Sequence, residues 1–165
     1  MKHVGCLIQF LVMVCFAQAQ VDSFDVFTFK TPAFFGKSQL PSRVQLSMKN
    51  NDTSFCLITL YKSGVAQKDL LQDISNQWNE QVVKCFNKAD KKPQRIYTQQ
   101  LWDGWASTVA IGNCMQNKKK VVVMLNSFRS GKTTSCIVFA FSGKIFKGPV
   151  ESFSQNLHLK QLYNK

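Results

Sequence analysis

The sequence predicts an α+β domain: an antiparallel sheet of about six strands, one long crossover helix and a short C-terminal helix. Three observations carry this reading. Apolar segments of strand length, alternating or continuous, recur between Phe24 and Phe141. Only one stretch, after Lys68, changes to a helical period. Turn-forming groups fall between the segments, among them Asn50-Asn51-Asp52, Asp103-Gly104 and Ser130-Gly131-Lys132-Thr133.

Phe24 to Phe29 reads as a strand that Thr31-Pro32 breaks, and Arg43 to Lys49 alternates, with Val44, Leu46 and Met48 on one face. Phe55 to Tyr61 is apolar and β-branched enough for a central strand covered on both sides. Leu70, Leu71, Ile74, Trp78 and Val82 then share one face of a helix of about four turns, expected over 69–84. Arg95 to Leu101 and Trp105 to Gly112 flank Asp103-Gly104, a pair suited to a tight hairpin turn. Val121 to Phe128 and Ser135 to Phe141 continue the meander. Pro149 opens a short helix to Leu157, because its missing N–H would have had no partner in a first turn.

Compartment is set by the first nineteen residues. Lys2 and His3 precede the apolar run Leu7 to Phe16, and Ala17-Gln18-Ala19 supplies the small residues that cleavage requires. Met1 to Ala19 is therefore a signal peptide cut between Ala19 and Gln20, too short in its apolar part to serve as a retained membrane anchor. Cys15 follows Val14, where lipid attachment needs a small residue, so lipidation is the lesser reading. Residues 20–165 form one domain, with no repeat or linker. Its charge is +11, since Lys2 leaves a chain of +12. Such a charge speaks of partners and solubility rather than fold. The basic residues are dispersed, so no single stretch reads as a nucleic-acid arm.

Strand pairs, a strand, a long helix, a meander and a short helix follow one another over nearly the whole exported chain. Phe55-Cys56-Leu57-Ile58-Thr59-Leu60-Tyr61-Lys62 leads into the Trp78 helix, and Asp103-Gly104-Trp105 opens the meander. This order resembles the Mog1/PsbP-like fold of small exported bacterial proteins. The resemblance implies an α/β/α sandwich that binds partners rather than performing chemistry, and it brings no catalytic motif with it.

Chemistry finds little purchase. After cleavage His158 is the one histidine left, near a polar C-terminus, so Ser-His-Asp or Cys-His catalysis lacks a base. Asp69 and Asp73 lie one turn apart at a helix start, where capping accounts for them. Gly131-Lys132-Thr133 imitates a phosphate loop, but Asn126 stands where the first glycine belongs, and a hairpin turn explains it better. Asn51-Asp52-Thr53 is a formal glycosylation sequon, relevant only in a eukaryotic secretory route. No cysteine or histidine spacing suits a metal, and no cofactor is indicated.

Cys56, Cys85, Cys114 and Cys136 remain after export, and disulfides persist outside the cytoplasm. The expected register sets Cys136 beside Ser127 and Ser107. Cys114 is then seven residues away, about 23 Å, which excludes that pair. A helix doubling back along the strand brings Cys85 level with Cys56, the candidate disulfide; the alternative is four free buried thiols. Among Phe34, Phe35, Trp102 and Trp105, Trp102 is the candidate for exposure, and with Lys118, Lys119 and Lys120 it forms a candidate anion-binding set. The commoner role of a lysine-rich turn is merely to solvate a sheet tip.

The functional expectation is an exported, monomeric, non-catalytic protein, periplasmic or extracellular, acting by contact with a protein or surface. Two alternatives stand beside it: a basic binder of an anionic polymer such as nucleic acid, glycan or lipid head group, and a small carboxylate-dependent hydrolase.

Overall fold

The structure, a computed structural model, describes residues 21–51, 54–116 and 118–162. The expected signal peptide, its cleavage site at Ala19 and Gln20, Cys15 and two residues of the sequon lie outside the described residues. Ten strands are described, in two antiparallel sheets. The large sheet comprises β3 (Gly36–Leu40), β4 (Arg43–Asn51), β5 (Ser54–Val65), β6 (Arg95–Trp102), β7 (Trp105–Gln116), β8 (Lys119–Ser130) and β9 (Thr133–Phe141), in spatial order β3-β4-β5-β9-β8-β7-β6. The small sheet is β1 (Val21–Phe24), β2 (Phe27–Lys30) and β10 (His158–Leu159), with β2 in the middle.

This overturns the expected fold class. The chain is mostly β, with seven strands in its main sheet rather than about six, and its helices are short. Helix α1 spans Leu70–Trp78 and continues only as a single π turn, Asn79–Val83, in which Lys84 N–H reaches Asn79 C=O at 3.1 Å. The wider turn ends the helix before the fourth α-turn that periodicity had suggested. Helix α2 spans Lys147–Gln155 after a 3₁₀ turn at Lys144–Phe146. The outer layer opposite α1 is chiefly the small sheet rather than a second helical layer, so the chain is not an α/β/α sandwich.

Strand alternation explains how the main sheet is covered on both faces. On β8, Val121, Val123 and Leu125 point to the α1 side, while Met124 and Phe128 point to the other. Ile74, Trp78 and Val82 seat the helix on the first set, joined by Ala110, Cys136 and Val138. Val44, Leu46, Ile58, Leu60 and Phe139 face the opposite side, where they meet Phe27 and Phe29 of β2 and Phe153 of α2. Phe153 bridges these layers, its ring 5.9 Å from both Phe29 and Phe139.

The expected strand Phe24 to Phe29 is two strands, because Asp25 takes a positive φ of 53° and folds Phe24 back onto Phe27. The register of β7 on β8 is also one residue from that expected: Gln116 pairs with Lys119, so Ser127 faces Thr108 and not Ser107. After β5, the chain crosses the sheet through α1 to the far edge at β6, then returns by the meander β7-β8-β9 to pair with β5. The crossover leaves β6 as an edge strand with α1 alongside it.

A candidate binding trench between the first helix and the edge strand

Helix α1 is held by polar contacts at its start. Asp69, extended at φ −148°, caps the helix by accepting Gln72 N–H at 2.9 Å. Asp73 is buried, accepts Gln67 N–H at 2.6 Å, and is paired with the Arg129 guanidinium of β8 at 2.9 Å. That pair ties the helix to the sheet while leaving Arg129 partly exposed. At the other end Trp78 donates from Nε1 to Asp90 C=O at 2.9 Å, and its ring packs closely on Gly112, where a Cβ would fall 2.8 Å from Cζ2. Only glycine allows this approach. Asp90 in turn accepts Asn113 N–H at 2.8 Å and a Gln94 amide proton at 2.9 Å, fastening the segment before β6 to β7.

Two neighbouring hollows open between α1 and β6. One of 590 Å³ is lined by Leu70, Leu71, Thr98, Ala106 and Arg129. The other, of 440 Å³, is lined by Ser75, Trp78, Lys91, Lys92, Pro93 and Ile96. The apolar wall is substantially exposed: Leu71 by 59% and Ile96 by 41%, with Leu101 at the strand's end by 73%. Lys91, Lys92 and Arg95 are exposed and form no ion pair among the described residues. The trench therefore offers an apolar floor, positive charge at one end and the unpaired backbone edge of β6. A smaller hollow of 320 Å³, between β4, β5 and Phe86, has no comparable strand edge.

The residues singled out from sequence fall elsewhere. Lys118, Lys119 and Lys120 are exposed at the tip of the β7-β8 hairpin. Trp102 is half-buried, edge-on to Phe128 at 5.9 Å, and pairs with Trp105 at the opposite end of that hairpin. Trp105 to Gln116 is eleven residue steps, about 37 Å, so the lysines and Trp102 share no platform. All four described cysteines are free thiols. Cys56 packs on the small-sheet side, whereas the chain leaving the π turn, with Phe86, packs on the helix side, so the sheet stands between Cys56 and exposed Cys85. The spacing argument considered only position along the strand and took no account of the face of the sheet. His158 is exposed and lies 3.6 Å from Asp103. Gly131, with φ 56°, occupies the β8-β9 hairpin turn. Among the described residues no three His, Cys, Asp or Glu gather as a metal site, and no helix is long and apolar enough to cross a membrane.

Against known proteins, no family profile and no curated sequence matches the chain. Solved structures do resemble it. LpqN of Mycobacterium tuberculosis, described as involved in cell envelope biogenesis, superposes with a TM-score of 0.53 at 9% identity, over 82% of this chain and 83% of that one. A protein of Bacteroides thetaiotaomicron gives a TM-score of 0.51 at 9% identity, covering 85% of this chain and 47% of that one, so the match spans about half of its length. The likeness fixes the fold alone. Neither of these two descriptions names the Mog1/PsbP-like family expected from element order.

The trench residues escaped the sequence reading for identifiable reasons. Ile96 alternates like an inward strand residue, and Lys91 and Lys92 look like solvated loop charges. Arg129 belongs to a strand end with no motif around it. That β6 is a sheet edge follows from strand order, which is set by pairings distant in sequence.

Proposed function

We propose that the chain is an exported, non-catalytic protein that works by holding a segment of another protein in the trench beside α1. The observation that carries this is the continuity of two apolar hollows with an open strand edge. The carboxylates at the trench are spent on structure: Asp69 on the helix cap and Asp73 on Arg129. The leader-like Met1 to Ala19 and the cell-envelope setting of LpqN support export, to the periplasm or cell surface. Anionic-polymer binding draws no comparable support, because the hairpin lysines and Trp102 stand at opposite ends of β7.

A photo-crosslinking residue introduced at Leu71 in the exported protein tests the reading, with the same residue at Ser38 on the other sheet edge as control. Discrete polypeptide adducts from position 71 alone are expected. Equal labelling from both positions, or none from 71, would overturn the trench as the contact site.

A further inference from the structure

We infer that the trench takes its partner as an added strand: an extended, acidic segment pairs with β6 as an eighth strand of the main sheet and sends alternate apolar side chains into the two hollows. This rests on the reading of the trench as a protein-binding site and specifies the chemistry of its occupant.

Spacing along β6 carries the inference. Ile96 lines one hollow and Thr98 the other, and the two residues pair with Ala110 and Thr108 of β7 on the α1 side of the sheet. They are two residues apart, about 7 Å, which is the repeat at which a strand presents side chains to one face. An incoming strand paired with β6 therefore sets residues i and i+2 beside Ile96 and Thr98, one at the wall of each hollow, with the main chain giving affinity and the hollows selectivity. A helix would present neighbours at i+3 and i+4 and could not pair with the edge. β6 ends the sheet, runs for eight residues without proline, and has its outer backbone groups unpaired within the described chain.

Charge decides the composition. Lys91 and Lys92 line one hollow, and Arg95 begins the strand. Nearby carboxylates are engaged: Asp90 with Asn113 and Gln94, Asp73 with Arg129, and Asp69 with the helix start. The whole chain carries +12, which opposes docking of a second copy through the same cationic edge and favours an acidic segment.

The test uses three synthetic octapeptides with the protein intact: four Glu-Val repeats, four Lys-Val repeats, and the Glu-Val peptide methylated on alternate backbone nitrogens. The Glu-Val peptide is expected to bind at low salt and to slow amide hydrogen exchange across β6. The Glu side chains fall on the face opposite the hollows, with Arg95, so binding should weaken about fivefold in the Arg95→Gln protein and about tenfold or more for the methylated peptide, which cannot form the ladder. Equal binding of the Lys-Val peptide would overturn the acidic preference, and equal binding of the methylated peptide would overturn strand addition. Protection of β6 that rises with protein concentration and needs no peptide would assign the edge to a second copy instead. If Leu71 captures a polypeptide while the methylated peptide binds undiminished, the trench remains a protein site and only the strand-addition mode falls.

Discussion

Gly112 shows how much one missing methyl group governs. Trp78 could not reach Asp90 C=O if residue 112 carried a Cβ, because that atom would sit 2.8 and 2.9 Å from two ring carbons. Gly112→Ala should therefore cost about 1–3 kcal/mol in urea unfolding, the usual penalty of overpacking a rigid neighbour. The thiols give a second residue-scale outcome. Burial pushes Cys56 up to about 12; burial, with Asp90 nearby, pushes Cys114 up to about 11; burial also raises Cys136. Their stabilising effect is complete below the unfolded thiol value near 9.0 and is lost as pH rises, because the unfolded chain then releases protons that the folded one retains. Urea midpoints should fall between about pH 9 and pH 11. In the native protein iodoacetamide should block Cys85 alone, and all four described thiols after unfolding; native protection of Cys85 would point to a disulfide.

At the scale of elements, α1 depends on one buried ion pair. Asp73→Asn leaves Arg129 facing a neutral amide in a mostly buried setting and should destabilise the protein by about 3 kcal/mol. Asp73→Asn combined with Arg129→Met should recover most of that, measured by the same unfolding curves, because the unmatched charge is gone. Elements also show what the sequence discloses. β4, β5, β7, β8 and β9 were legible because Val44-Leu46-Met48, Leu57 to Leu60 and Val121 to Leu125 must satisfy a period of two or a fully covered strand. β3 was not, since Gly36 to Leu40 is polar and exposed throughout and exists by pairing with β4. Nor was the π turn, because Val82 fits an α-helical face equally well. The trench was illegible as a site: its residues come from α1, the segment before β6, β6, β7 and β8, and what unites them is a topology that no local pattern encodes.

Across the whole molecule, the C-terminal segment closes the layer opposite α1. Leu157 and Leu159 are buried, Lys160 N–H bonds Val26 C=O at 2.9 Å, and Lys160 C=O accepts Trp105 Nε1–H at 3.0 Å. Ending the chain after Gln155 forfeits two buried leucines and these bonds, about 5 kcal/mol in all. That is comparable to the entire stability of a small domain. The shortened chain should lose its near-ultraviolet circular dichroism and its sharp thermal transition; retention of both would show that β1 and β2 cover the sheet unaided.

The tryptophans are shared between the two sides of the main sheet. Trp78 lies under the helix, whereas Trp105 and Trp102 belong to the layer that the small sheet closes. A chain retaining only Trp78 would emit light that follows the seating of α1, and one retaining only Trp105 would follow closure of the opposite layer. The protein thus carries a separate optical reporter for each half, and whether the halves melt together or in turn can be read without attaching a dye.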